Sequence, residues 1–294
     1  MPAKVTKAPE TKEEWHEAIF EDSTQLQFAP EEVAGDRNFL LWLLKNDGRA
    51  LKYVSWELRE DRDIILEAVK QNWHALEYVP SDFLTDKEVI LKGMKQNWRA
   101  LIFADESLRD DREVILEAVR RDGSGEALRH ASVSLYSDPV LMFEAVKMNG
   151  LMFQYATDDL RANRDLAMLA VKRNGLTLFM CPYELRMDRQ LVYEAVKQNY
   201  AALDYASEEL KDERELVMEA MKQSGMALRY ASERLRADRH IVWEAIQKHY
   251  RALDFASEEL KSDRELMREA VKQRKKLNFM SMGGFERPAK QAVS

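Results

Sequence analysis

Apolar residues recur along the chain at helical spacing after an acidic residue, as residues 188–212 illustrate. Asp188 opens this stretch, and its carboxylate is suited to accept the free amides of a helical first turn. The apolar residues that follow lie on one helix face; they are Leu191, Val192, Ala195 and Val196. The pattern predicts an α-helix of about eleven residues after Asp188.

The second half of the stretch predicts two shorter elements. Asn199 follows the first helix, and Asn tolerates the left-handed backbone that often ends a helix. The next apolar residues predict a short second helix; they are Ala202, Leu203, Tyr205 and Ala206. Ser207 is a capping residue type, so we expect the chain to break there and to form a last turn over 208–210.

This unit recurs over nearly the whole chain, and each copy opens with one residue, usually acidic. The openers are Thr11, Asp36, Asp61, Asp86, Asp111, Asp138, Asn163, Asp188, Glu213, Asp238 and Asp263. Every spacing is 25 residues except the one between Asp111 and Asp138, which is 27. The two extra residues belong to Gly123-Ser124-Gly125, which we expect to lengthen a surface loop.

One such unit cannot bury its apolar face alone, so neighbouring units must stack. The sequence predicts an all-α fold, an α-solenoid of eleven helical repeats of approximately 25 residues. The array is expected to span 11–282, with degenerate caps at 11–35 and 263–282 and tails at 1–10 and 283–294. At about 8–10 Å per layer, eleven repeats would give a single rod or arc on the order of 100 Å long rather than two globular domains.

The repeat pattern carries a family resemblance. The shared pattern is an acidic opener with Arg, three apolar residues, EAVKQNG and then AL-x-YASEELR. The repeats that come closest to this pattern open at Asp61, Asp111, Asp188 and Asp238. This pattern resembles the repeat family called domain of unknown function 4116, over most of the chain. The resemblance implies tandem repeats, and no activity is assigned to the family as such.

Composition and charge narrow the classes of function. The chain has 46% hydrophobic and 33% charged residues, with only 10 Gly and 7 Pro, which is typical of a well solvated helical protein. It carries 45 basic and 52 acidic residues, a net charge of -7, and no stretch concentrates the basic ones. Nucleic acid is therefore not the expected partner.

The sequence also bears on location and redox environment. No apolar run is long enough to span a bilayer, and the N-terminal residues lack the apolar region of a secretion signal. A cytoplasmic protein is expected; Lys4, Lys7 and Lys12 make a weak transit peptide, so organellar import stays open. The single cysteine, Cys181, excludes an internal disulfide framework and is expected to be buried.

Two charged columns invite a chemical interpretation, but a structural one is favoured for both. A Glu recurs on the outer side of the first helix, usually three residues before a base, as in Glu194 and Lys197, which predicts surface pairs. An Arg follows most openers and predicts an ion-pair ladder between repeats rather than an anion track; the members are Arg37, Arg62, Arg112, Arg164, Arg189, Arg214, Arg239 and Arg264.

No constellation of catalytic or metal-binding residues emerges from the sequence. The histidines lie at unrelated repeat positions, and no pair has the helical spacing of a metal site; they are His16, His74, His130, His240 and His249. There is no Gly-rich phosphate loop or nucleophile elbow. We expect no enzymatic activity, no cofactor and no metal.

The variable positions are the candidates for binding. Where the two helices of a repeat meet, the residue is either a large aromatic or Gly, as at positions 48, 150, 175 and 225. Gly would relieve backbone strain at this junction, and an aromatic residue would not. Each aromatic ring either folds onto the adjacent repeat or contacts a partner. The candidates at this junction and on the second helix are Trp73, His74, Trp98, Arg99, Ile102, Phe179, Tyr200, Tyr250 and Arg251.

A constant core with a changing surface favours a non-enzymatic scaffold that binds one or more proteins. The alternative is a modular nucleic-acid reader, but the junction offers Gly, Leu, Met and Ala where base reading needs polar side chains. A third hypothesis, a structural subunit of a larger assembly, is compatible with the first.

Overall fold

The computed structural model describes residues 9–281, with side chains as far as Leu277. Every regular element within that range is a helix, so the all-α prediction is confirmed for it. The predicted tails, 1–10 and 283–294, lie outside the described residues except for Pro9 and Glu10.

A long α-helix follows each opener, and most of these helices have ten residues. Their bounds are Lys12–Glu21, Arg37–Asn46, Arg62–Gln71, Lys87–Met94, Arg112–Asp122, Pro139–Met148, Arg164–Arg173, Arg189–Gln198, Arg214–Gln223, Arg239–Lys248 and Arg264–Ser281.

The openers cap these helices as predicted. The Asp61 carboxylate accepts the amides of Asp63 and Ile64, and Thr11 forms a reciprocal capping box with Glu14. Glu213 is the exception, because its side chain caps no amide.

The second element of the first ten repeats is a 3₁₀ helix, tighter than the α-helix and mostly of six residues, whereas the last repeat is one α-helix as far as Ser281. The bounds are Ser23–Phe28, Gly48–Tyr53, Trp73–Tyr78, Trp98–Phe103, Glu126–His130, Gly150–Tyr155, Gly175–Met180, Tyr200–Tyr205, Gly225–Tyr230 and Tyr250–Phe255.

The predicted last turn is also present, as a single α or 3₁₀ turn. Its bounds are Glu31–Ala34, Leu58–Glu60, Ser81–Thr85, Glu106–Arg109, Val133–Ser137, Asp158–Arg161, Tyr183–Arg186, Glu208–Lys211, Glu233–Arg236 and Glu258–Lys261. A backbone bond ties some of these turns to the repeat before them: the Ser232 N–H donates to the Lys211 carbonyl at 3.0 Å, and the Ser257 N–H to the Arg236 carbonyl at 3.0 Å.

The inserted loop has the one left-handed backbone among the described residues. Gly123 (φ 65°) and Gly125 (φ 81°) are the residues there with positive φ. The prediction of a lengthened surface loop is thus confirmed, and glycine is needed at both positions because φ > 0 strains other residues.

The described part of the chain divides into two compact units, one ending at Met148 and the other beginning at Asn149. Within each unit, consecutive long helices pack together, as Arg37–Asn46 does on Arg62–Gln71 and Arg189–Gln198 on Arg214–Gln223. The nine long helices from Arg37–Asn46 to Arg239–Lys248 bury the same four positions in successive repeats, with almost no solvent exposure. The single array stays a prediction.

The ion-pair ladder is confirmed within both compact units. The Arg37 guanidinium lies 2.6 Å from Asp61 and 2.6 Å from Asp63 in the next repeat. Arg189 likewise lies 2.5 Å from Glu213 and 2.7 Å from Glu215. The openers of other repeats are paired in the same way, in Lys12–Asp36, Arg62–Asp86, Lys87–Asp111, Arg112–Asp138, Arg164–Asp188, Arg214–Asp238 and Arg239–Asp263.

The outer glutamates follow their prediction in some repeats. Glu67 and Glu219 pair with the lysines three residues on, at 3.1 and 2.5 Å. Glu117 instead pairs with Arg121, four residues on, at 2.6 Å. These exposed contacts on one helix are worth a few tenths of a kcal/mol each, about 0.2–0.5.

Candidate protein-interaction surface

The 3₁₀ helices carry all nine candidate residues, and an Asn at the junction positions most of those helices. The Asn72 side chain accepts the His74 N–H at 3.0 Å, and Asn199 does the same for Ala201 at 2.9 Å. Asn72 and Asn199 both have extended backbones, with φ of -147° and -149°. The prediction of a left-handed junction was therefore wrong: Asn is used there to cap the helix that follows it.

The glycines at the junction serve close approach of the next repeat rather than relief of strain. A Cβ on Gly175 would lie 2.2 Å from the Ala195 carbonyl oxygen, and a Cβ on Gly225 would lie 2.0 Å from that of Ala245. Neither glycine has positive φ. The expectation that aromatic residues forgo strain relief at this position was wrong for that reason.

A glutamine that the sequence analysis did not single out fixes several junctions. The Gln96 side-chain oxygen accepts the Trp73 N–H at 3.0 Å, while its amide donates to the Val69 and Lys70 carbonyls. Gln223 makes the same three bonds to Tyr200, Val196 and Lys197. One side chain thus closes the end of the preceding helix and caps the 3₁₀ helix beside it. The signal was the recurring Lys-Gln before the junction, as in Lys95-Gln96 and Lys222-Gln223.

In the first compact unit, aromatic rings of successive 3₁₀ helices lie side by side. Trp73 lies 6.2 Å from Phe103 of the next repeat. Trp98 lies 6.0 Å from His130, which is also in the next repeat. We call this surface the N-terminal aromatic face; its members are Lys52, Tyr53, Trp73, His74, Tyr78, Trp98, Arg99, Ile102, Phe103 and His130.

The second compact unit carries a matching surface. Tyr200 lies 6.4 Å from Tyr230, and Phe179 lies 5.7 Å from Tyr205. We call it the C-terminal aromatic face; its members are Phe179, Tyr200, Tyr205, Arg229, Tyr230, Tyr250, Arg251 and Phe255. The nine sequence candidates therefore fall into two groups, one in each unit.

Cations cover several of these rings. The Lys52 ammonium lies 5.6 Å from the Tyr53 centroid and 5.9 Å from that of Tyr78. The Arg229 guanidinium lies 5.1 Å from Tyr230 and 5.6 Å from Phe255. At exposed sites, such contacts contribute about 0.5–1 kcal/mol.

Arg99 and Arg251 extend the same arrangement at the junction itself. Arg99 lies 5.0 Å from the Trp98 ring, and the Arg251 Nε donates to the Tyr250 hydroxyl at 3.2 Å. Both Arg side chains are exposed.

Exposure separates the candidates into two kinds. Ile102 and Phe179 are about half exposed, at 51% and 52%. The aromatic residues of the junction and His74 are half-buried, since their rings lie against neighbouring rings; they are Trp73, Trp98, Tyr200 and Tyr250. The rings of Trp73, Trp98 and Tyr200 thus contact the adjacent repeat, as the packing interpretation predicts, and all three residues stay partly exposed.

Burial also sets the charge state of the surface. Burial, together with nearby Arg109 and Arg129, lowers the pKa of His130 below its ordinary value, so this ring is neutral at pH 7. Burial raises the pKa of Tyr230. Lys52, Arg99, Arg229 and Arg251 place positive charge on the two faces.

Cys181 and two of the histidines make packing or capping contacts within the described residues. Cys181 is buried, at 4% exposure, and burial raises its pKa to about 12. His16 stacks on Phe39 at 3.8 Å, and His249 caps the Arg251 amide. Between residues 9 and 281, no three His, Cys, Asp or Glu side chains are placed to hold a metal ion. No helix of that part is long and apolar enough to cross a membrane.

Comparison with protein-family models identifies one family. The model of the family described as Domain of unknown function (DUF4116) matches residues 15–59, 57–84, 86–136, 141–186, 188–236 and 238–281. No curated protein matches the chain.

Proposed function

The chain belongs to the domain of unknown function 4116 family, and we propose that it is a non-enzymatic scaffold that binds proteins through its two aromatic faces. The observation that carries the proposal is the combination of half-open aromatic rings with exposed Arg and apolar side chains on the 3₁₀ helices. Aromatic residues and Arg dominate the binding energy of protein interfaces. A scaffold of this kind is also suited to be a subunit of a larger assembly.

The proposal includes one architecture, an α-solenoid of eleven repeats that forms a single array. It is supported by contacts that recur from repeat to repeat, namely the Arg ladder, the Gln96 and Gln223 bridges, and the backbone bond from Ser232 to Lys211. Such nearest-neighbour contacts are what holds a solenoid together.

The chemistry of the two faces favours a protein over a nucleic acid. Ile102 and Phe179 offer apolar contact but no hydrogen bond to a base edge. The Arg ladder is engaged by carboxylates of the next repeat, and the net charge of -7 opposes the approach of a polyphosphate. Binding of a nucleic acid through the same faces is therefore the result that would replace this proposal.

Affinity capture with matched variants tests the proposal. The tagged full chain is compared with Trp73→Ala/Trp98→Ala, with Ile102→Glu and with Phe179→Glu, because the last two positions are exposed and need not disturb the fold. Trp56→Ala is the control, since Trp56 is a large aromatic with 66% exposure that belongs to neither face. Circular dichroism checks that all variants stay helical.

Specific partners should be retained by the Trp56 variant and reduced by about tenfold or more in at least one face variant, as is typical for loss of an interface anchor. Equal capture by all variants would refute binding through these faces. Salt-sensitive retention on an RNA or DNA column that follows the same variants would replace the protein partner by nucleic acid.

A further inference from the structure

The helix Arg264–Ser281 exposes two apolar residues that the preceding repeats bury. Met267 and Val271 are 48% and 52% exposed. Their equivalents one repeat earlier, Val242 and Ile246, are fully buried beneath the next long helix. Met267 and Val271 therefore lie on the side of the long helix that, in the preceding repeats of this unit, packs against the long helix of the next repeat.

The ladder is also open at this point. Arg239 pairs with Asp263 and Glu265 of the following repeat, whereas Arg264, the next member, has no acidic partner among the described residues. Beside it, Arg268 replaces the half-buried Trp243 of the preceding repeat. We call the surface of Arg264, Met267, Arg268 and Val271 the terminal face; its side chains line one shallow groove.

The geometry points to one occupant for the terminal face: we propose that it binds an acidic amphipathic helix of a partner protein. The first turn of that helix would carry two carboxylates two positions apart, as Glu213 and Glu215 do where they contact Arg189. Apolar residues after them would cover Met267 and Val271. This surface is separate from both aromatic faces, so the inference does not depend on them.

A second copy of the chain fits the terminal face poorly. Its first repeat places Glu14 where later repeats bury an apolar residue such as Leu266, and Glu14 belongs to the capping box of its own helix. Pairing two terminal faces would bring Arg264 and Arg268 of one copy against the same cations of the other, which costs free energy. Residues 282–294 contain one carboxylate side chain, Glu286, followed directly by Arg287.

A labelled peptide with the sequence of residues 213–237 is a defined probe for this surface. In the structure, this segment carries the required acidic pair and apolar face, with Leu216 and Val217 fully buried against its neighbours. Fluorescence anisotropy measures its affinity for the full-length chain. A peptide with Glu213→Gln and Glu215→Gln is the matched control.

We expect the wild-type peptide to bind, and the amide peptide to bind about tenfold more weakly, in line with the loss of two charge pairs. Met267→Glu and Val271→Glu should also weaken binding at least about tenfold, while Val133→Glu, at an exposed position of the other unit, should not. The Arg264→Glu chain should prefer a peptide with Glu213→Lys and Glu215→Lys.

Three results would overturn the proposal. The first is no binding of the wild-type peptide, or equal binding of the acidic and amide peptides. The second is tighter peptide binding by Phe285→Ala, which would mean that the chain's own C-terminal segment covers the terminal face. The third is a dimer of the wild-type chain that Met267→Glu converts to a monomer, which would make a second copy the occupant.

Discussion

Replacing Gly225 by Ala tests whether the junction glycines exist for close approach between repeats. If only the local backbone mattered, the change would stabilise the protein by about 0.4–1 kcal/mol, because Ala restricts the unfolded chain and no positive φ opposes it. Tyr200 and Tyr250 occupy the same repeat position, so this backbone accepts a side chain.

The structure predicts the opposite sign. The new Cβ would lie 2.0 Å from the Ala245 oxygen, and Cβ contacts under 3.0 Å are essentially never observed. The helix Arg239–Lys248 must therefore move by roughly 1 Å, and overpacking of this kind costs about 1–3 kcal/mol. Because the contact is with a backbone carbonyl, no change of the Ala245 side chain can relieve it.

Urea unfolding followed by circular dichroism measures the net effect, and hydrogen exchange localises it. We expect a lower urea midpoint and faster exchange of the His249 amide, which donates to the displaced Ala245 carbonyl at 2.9 Å. The control is Gly123→Ala, where a Cβ meets nothing within 4 Å and the cost comes from positive φ alone. A raised midpoint for Gly225→Ala would refute the close-approach explanation.

Three further predictions concern the ladder and the buried thiol. Asp61→Asn keeps a capping oxygen and should lower the free energy of unfolding by no more than about 1 kcal/mol, through loss of the Arg37 pair. Asp61→Ala also loses the cap and should lower it by about 1 kcal/mol more. Equal urea midpoints for the two variants would contradict this. The paired Arg holds the pKa of Asp61, Asp86 and Asp188 below the ordinary value, so their contribution is present at neutral pH and is lost as pH falls through the lowered values. The urea midpoint should thus fall below about pH 4, less steeply in Asp61→Asn, and a midpoint that is constant down to about pH 2 would argue against the ladder. Burial raises the pKa of Cys181 to about 12, so a thiol reagent at neutral pH should label it far faster in urea than in the native protein, and rapid native labelling would contradict this burial.

The elements that the sequence predicts are those encoded within one repeat. Asp61 opens a helix because its own carboxylate reaches the amides of the next few residues, and the apolar spacing after it defines the buried side. The break at Ser232 is local in the same way, since its hydroxyl caps Leu235. Such signals need no knowledge of the neighbouring repeat.

The features that the sequence analysis missed depend on contacts between repeats. Gly225 looks like a glycine chosen for its backbone, and only the position of Ala245 reveals the close approach. The role of Gln96 rests on carbonyls in the repeat before it. The ring contact of Trp73 is with Phe103, so a window of one repeat does not contain it.

The charged ladder was predicted only in part from the sequence. Its pairing with acids was predicted from composition, because an Arg recurs close to carboxylates in most repeats. The opening of the ladder at Arg264 and the exposure of Met267 follow from the order of the repeats along the fold rather than from any residue taken alone.

Small-angle X-ray scattering of the full-length chain in solution most directly tests the central claim that the repeats form one continuous array. An array of eleven layers at about 8–10 Å each predicts a radius of gyration of about 30 Å if straight, and somewhat less if curved. A globular chain of 294 residues would give about 19 Å. A value near 30 Å for a monomer would support the array, and a value close to 19 Å would contradict it.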